Sequence, residues 1–451
     1  MKKKITVISI IIAGVVLNAC QNMLEPKPID QLVNDIVLNE PKDIEAVEIG
    51  LYQAFRVTMP TVVIAGDMTA DNLVHNGTFS QYRELGVKKI TSANASVNEL
   101  WGHIYQTVYI ANFMLERIPE IPGVTSSVRE RALATAHFIR GMSNFIGVVT
   151  YGGIPKITTT NIEDNRNVPR TPEEEMLAFV EADLLEALGK LGDESPTPAF
   201  ASNSAVEAAL ARFHLYMKNY SVAEQYATAV INSENYELEE EYETVVLADF
   251  PSESIFEVGY TIADDSDPTN LNTLFVGRRE IIPSNEEISA LASTESGDRF
   301  ASIKFNVNNL KGNDNGWEVN KYGTAVDDNN NIVVFRLPEM YLIRAEARTF
   351  LGNVSGANSG QSDINVLRAR AKAPQIGSVA QGQMIQLIEQ ERRYELAFEG
   401  HRWYDLRRTG RLEQVMPAFN ANWRPAFELW PVPQRELQTN TSLANDQNPG
   451  Y

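Results

Sequence analysis

The sequence predicts a mainly helical protein in which tetratricopeptide-like helical hairpins form a scaffold, interrupted by a loop-rich irregular insert with few short strands. Three observations carry that reading. Apolar residues recur at three- and four-residue spacing through long stretches on either side of the middle of the chain. The span 204–233 fits the small and apolar positions of a roughly 34-residue tetratricopeptide unit. Between 236 and 334 the helical period fades while Gly, Asn and Asp accumulate. At 451 residues, 43% of them hydrophobic, the chain is long enough to bury a substantial core.

The first element is a leader. Lys2, Lys3 and Lys4 precede the apolar run 5–16, and Leu17-Asn18-Ala19 lead into Cys20, the only cysteine. A basic start, an apolar middle and a small residue at the cut describe a secretory signal over 1–19. The apolar run falls short of the ~20 residues a spanning helix needs. Cys20 is the expected lipid-attachment residue, so the chain is held to a membrane by acyl chains. A tether over 20–40, broken by Pro26 and Pro28, spaces the body from that anchor.

Helical hairpins fill 41–235. Ile44, Val47, Leu51 and Phe55 start the period, after which 58–95 loses it and reads as loop. Leu100, Trp101, Ile104, Val108, Ala111 and Leu115 predict a helix over 98–118 that ends before Pro119. The next, 127–149, is stopped by Tyr151-Gly152-Gly153 and Pro155. The helix expected over 172–191 has Thr171 as its cap, proline in its first turn and glutamates at its positive end. Within 204–233 the turn is Lys218-Asn219-Tyr220, and Leu210, Ala211, Ala223 and Val230 are placed where helices approach closely. The insert, 236–334, holds one strand at 255–258 and turn-rich runs at 311–316 and 327–331. Helices return in the region 335–451, over 338–352, 362–373 and 381–409, ahead of a proline-rich tail.

Function classes narrow by exclusion. A formal charge of −20 sets the chain against nucleic acid, whose binding rests on Lys and Arg neutralising phosphates. The five histidines are scattered without metal-ligand spacing. No nucleophile elbow, phosphate loop or calcium hand occurs, so no metal or cofactor is expected. Glu391, Arg392, Glu395, Glu399, Arg402, Asp405 and Arg407 form the densest charged block. Arginine beside nearly every acid holds those acids ionised, which suits a structural network and not a general acid. Binding is better served by aromatic faces set among polar side chains. The candidate ligand residues are Asp71, Asn72, His75 and Tyr82 ahead of Trp101, with Trp317 and Tyr322 in the insert.

Two strings are specific: Phe335-Arg336-Leu337-Pro338-Glu339 running on to Ala347, and Glu391-Arg392-Arg393-Tyr394-Glu395 running through Gly400-His401-Arg402-Trp403-Tyr404-Asp405. With Tyr109 to Asn112, Gly152 to Pro155 and Leu429 to Pro433, they give a chain that resembles, over essentially its full length, the SusD/RagB family of nutrient-binding outer-membrane lipoproteins. The resemblance implies a non-catalytic lipoprotein exposed at the cell surface. It would cap a SusC-like TonB-dependent transporter and deliver oligosaccharide, or in some members peptide, with ligand contacts in the loop before the Trp101 helix and in the insert. Of the acidic residues that often follow the lipid-bearing cysteine in such proteins, only Glu25 is present. A lipid-anchored glycosidase and a periplasmic tetratricopeptide scaffold are the competing readings.

Overall fold

The computed structural model describes residues 38–192, 197–261, 263–264, 267–308, 310–324 and 330–451. The leader, Cys20, most of the tether and residues 327–329 of the second turn-rich run lie outside them.

The fold begins with α1 (Asp43–Met68), and here the expectation of a loop from Thr58 is corrected. The helix runs on through Pro60 because almost every residue from Val62 to Met68 is buried. A helix covered on all sides has no polar face and therefore no amphipathic period to read. The covering segment includes Gly400, whose carbonyl oxygen would lie 1.9 Å from a Cβ placed on Gly66. Lys88, buried, closes the end of α1 by donating from Nζ to the Met68 and Ala70 carbonyls, while burial lowers its amine to about 7.

β1 (Leu73–His75) and α2 (Ser80–Gly86) follow. Next come α3 (Ala95–Arg117) and α4 (Ser126–Tyr151). Asn94 caps α3 by accepting from the Ser96 amide at 2.9 Å. Leu100, Ile104, Val108 and Ala111 of α3 are fully buried against α1 and α4. β2 (Ile154–Pro155) pairs with β3 (Arg170–Thr171) before α5 (Glu173–Ala187). Thr171 is thus a strand residue and not the cap; no side chain caps α5, and Glu173, Glu174 and Glu175 face its positive end instead.

The hairpin of α6 (Asn203–Tyr216) and α7 (Tyr220–Asn232) closes through Ala208, Ala211, Ala223 and Ala227, with Lys218 at φ +58° in its turn. Neighbour packs on neighbour from α3 to α7, giving the stacked array. The insert adds β4 (Ser254–Val258), β5 (Ile281–Pro283), α8 (Asn285–Leu291), β6 (Ile303–Phe305), β7 (Trp317–Val319) and β8 (Ile332–Arg336). All strand pairs are antiparallel and two-stranded: β1 with β5, β4 with β8, β6 with β7.

α9 (Leu337–Phe350) resumes the array by packing on α7, and α10 (Gly360–Arg370) and α11 (Gln381–Glu395) pack on α9. The single helix expected over 381–409 is broken. α11 stops, Phe398 and Gly400 take φ of +65° and +82°, and α12 (Arg402–Arg408) starts afresh. The Tyr322 hydroxyl donates to the Phe398 carbonyl at 2.8 Å and the Asp67 carboxyl accepts from the Gly400 amide at 2.6 Å, so tertiary bonds replace the helical ones. The tail contains α13 (Leu412–Phe419) and a short α14 (Gln434–Thr439).

Most of the charged block lies inside the molecule, and each of its residues has an ion-pair partner. Arg336 donates to Glu253, Glu395 and Glu399, Arg370 to Glu253 and Glu395, and Arg299 to Glu391 and Glu395. Arg392 and Arg408 share Asp405, Arg402 holds Asp71, and Arg407 reaches Glu173. Burial alone would raise the Glu399 carboxyl, yet Arg336 and Lys321 bring it down to about 2. The network crosses from the insert to α11 and fixes one to the other.

Candidate functional site

Two surfaces meet where the segment after β1 folds against the insert. The first is a polar cleft of about 350 Å³ between α1, the α2–α3 region and Tyr260, Asp264, Asp267, Thr269 and Asn270. Arg56 builds one wall: its Nη1 donates to Asp264 at 2.8 Å, and its guanidinium lies 4.9 Å from the Tyr260 ring. Burial would raise Asp264, but bonds from Thr261 and Arg56 hold it below the ordinary carboxyl value. Glu99 is raised, first by burial and then by Asp267. His103 is lowered by burial, and its buried Nδ1 has no hydrogen-bond partner among the described residues. Tyr82 and Asn270 complete a lining of mixed donors, acceptors and ring edges. Such a lining suits a polyhydroxylated ligand.

The second surface is aromatic. Pairing of β6 with β7 sets Phe305 opposite Trp317. The Trp317 ring meets Phe305 edge-on at 5.2 Å and Phe300 at 5.5 Å. Phe305 is 57% exposed and Phe300 38%, an apolar cluster left in water, which marks a contact surface.

Arg279 joins this face to the segment after β1. Fully buried at φ +51°, it donates to Asp314 and Glu318 in the insert and to the Trp317 carbonyl at 3.3 Å. Its own carbonyl accepts from Asn76 at 2.9 Å. Next to it, Glu280 accepts from the Phe79 amide and meets His75 Nε2 at 3.2 Å. Gly77 lets the two segments approach closely here, since a Cβ there would lie 2.0 Å from a Glu280 carboxylate oxygen and would push that side chain aside. Arg278 covers the Phe79 ring at 4.3 Å, and Phe79 neighbours Tyr82 at 6.1 Å.

The seven residues singled out as ligand candidates are divided by this geometry. Trp317 is on the aromatic face, Tyr82 lines the cleft, and His75 lies between them, half-buried against Glu280. Trp101 is 4% exposed, wedged between Tyr105 and Tyr151, and presents no ring face outward. Tyr322 is equally buried, its hydroxyl spent on the Phe398 carbonyl. Asp71 is an ion-pair partner of Arg402 and Arg393, whose combined effect overcomes burial and lowers its carboxyl. Asn72 is buried and donates to Asp67 at 2.7 Å. For these four the expected ligand contact on this face gives way to a packing role. Arg279, Glu280, Phe79 and Phe305 were not indicated by the sequence; isolated residues in irregular segments carry no periodic signal.

Comparison with known proteins agrees with this architecture. A family model described as the SusD family matches residues 304–451, and one described as starch-binding, associating with outer membrane, matches 23–215. Two SusD-like proteins of Formosa agariphila are 24% and 26% identical, the first covering 98% of both chains and the second 96% of this chain and 97% of the relative. Among solved structures, a laminarin-binding SusD-like protein superposes with a TM-score of 0.78 at 25% identity, over 92% of this chain and 100% of that one. A SusD superfamily protein from Parabacteroides distasonis gives 0.80 at 19%, over 91% and 99%. The surface glycan-binding protein A from Bacteroides fluxus gives 0.74 at 21%, over 92% and 100%. The two family models together span both helical regions and the relatives span the whole chain, and the description of the second model points to association with the outer membrane. The chain belongs to the SusD/RagB family.

Proposed function

We propose that the protein is an outer-membrane lipoprotein, anchored through Cys20 and facing outward, that binds oligosaccharide on the Trp317 face and in the adjoining Tyr82 cleft. It then hands the sugar to a SusC-like TonB-dependent transporter without breaking a bond in it. The observation that carries this reading is the cluster of half-buried Trp317 with exposed Phe305 and Phe300, fixed by Arg279 beside the asparagine- and aspartate-rich turn at 311–316. Ring faces pack on sugar C–H groups while the turns supply directional hydrogen bonds. The laminarin-binding relative makes laminarin the first ligand to try.

Calorimetry of the protein against laminarin and a panel of other soluble glycans tests the proposal. Binding to at least one is expected, with Trp317→Ala weakening it by about tenfold, or ~1.4 kcal/mol. Absence of binding to every glycan, or release of reducing ends during incubation, would overturn it. Gentle detergent extraction of the native membrane should bring a large β-barrel with the protein, and extraction of the protein alone would remove the transporter from the proposal.

A further inference from the structure

A second cavity, of about 410 Å³, lies apart from the saccharide face, between the start of α7, the end of α9, and α11 with α12. Its size falls in the range of roughly 300–1,000 Å³ seen for small-ligand pockets. Arg392 lines it and is 3% exposed. Nε of Arg392 is committed to Asp405 at 2.8 Å, but Nη1 and Nη2 are buried and have no hydrogen-bond partner among the described residues. Leaving a buried guanidinium edge unmet is costly, and two parallel N–H groups match one carboxylate.

The surroundings do not cancel that demand. Asp405 is shared with Arg408, which also takes Glu346, and Glu389 stands between Arg411 at 3.0 Å and Arg402 at 3.6 Å. Arg393 is met by Glu287 at 2.7 Å and by Asp71 at 3.5 Å. Six cations, with Lys218, thus meet five carboxylates. His401 adds no charge at neutral pH, since burial lowers it to about 4. Asn72 lines the same cavity, and its buried Oδ1 is an acceptor without a donor among the described residues. Ile385, Leu396 and the stacked Tyr220–Phe350 pair, 4.3 Å apart, give the remaining wall an apolar character.

We propose that this cavity binds a small hydroxylated carboxylate of sugar-acid size, its carboxylate on Arg392 Nη1 and Nη2 and a hydroxyl donating to Asn72 Oδ1. A neutral sugar meets only the second requirement and a simple fatty acid only the first.

Calorimetry on the full-length protein with glucuronate, galacturonate and gluconate, and with glucose as the neutral control, decides it. At least one acid should bind saturably and ten times or more tighter than glucose. Arg392→Gln should abolish this binding, and Asn72→Ala should weaken it by about tenfold. Because Arg392→Gln disturbs an ion pair, Ile385→Trp, which fills the cavity and removes no charge, provides the second variant. It should remove acid binding and leave glycan binding at the Trp317 face unchanged. No saturable binding of any of the three acids, equal binding of glucose, or binding that survives Ile385→Trp would overturn the proposal.

Discussion

Asp67 shows how one residue can work against its own ionisation. It is fully buried, accepts from the Gly400 amide and from Asn72, and is raised by burial to about 8. A carboxyl whose folded value lies above its ordinary one contributes stability that is complete below about pH 4 and lost as the pH rises to about 8, at ~1.4 kcal/mol per pH unit. Glu399 runs the other way: lowered to about 2, it contributes stability above its ordinary value that is lost as the pH falls towards 2. Asp67→Asn should therefore flatten the decline of stability between pH 5 and 8 while leaving acid unfolding unchanged. Denaturant midpoints across that range check it, and an undiminished slope would mean Asp67 is ionised when folded. Gly66 gives a test of opposite sign to propensity. Alanine is favoured over glycine in a helix by about 1 kcal/mol, yet Gly66→Ala drives a Cβ to 1.9 Å from the Gly400 carbonyl. Overpacking of backbone on backbone should cost ~3 kcal/mol or more, measured as a lowered denaturant midpoint.

At the scale of elements, the sequence is legible wherever a helix has one wet face. α3 could be read because Leu100, Ile104, Val108 and Ala111 face the core while Gly102 and Gln106 face water. The end of α1 could not, since burial on every side erases the period. The break between α11 and α12 was equally hidden: Phe398 at φ +65° is held by Tyr322 and, through Gly400, by Asp67, bonds that join residues far apart in sequence. The candidate site shows the same limit. Residue type marked Trp101 and Trp317 alike as rings able to stack, and only packing places one inside and the other at the surface. The charged string over 391–408 was legible as a paired network, but not its reach to Arg336 or into the insert through Arg299 and Lys321. Arg336→Met leaves Glu395 and Glu399 buried with fewer counter-charges and should cost ~3–5 kcal/mol. Lys372→Met, which breaks exposed pairs with Glu241 and Asp298, should leave the unfolding midpoint within error. Equal losses for the two would show that the buried network has no special weight.

For the whole molecule, the stacked helices are a frame, and the binding face is made by fastening irregular chain onto it. The buried network ties the insert to α11, while Arg279 ties the insert's 314–318 segment to the turn after β1. These fastenings have different consequences when cut. Arg279 touches no ring of the aromatic face, yet it sets the position of Trp317 through that residue's carbonyl and through Asp314 and Glu318. Arg279→Met should leave α3, α4, α6 and α7 as protected from hydrogen exchange as before, because those helices pack on one another and not on it. Exchange in 306–319 should rise, and glycan affinity should fall by about as much as in Trp317→Ala, since a ring free to wander must be ordered again on binding. If affinity falls with no change in exchange over 306–319, Arg279 does not act by holding the face in place. If exchange rises while affinity is kept, the aromatic cluster is not where the glycan binds.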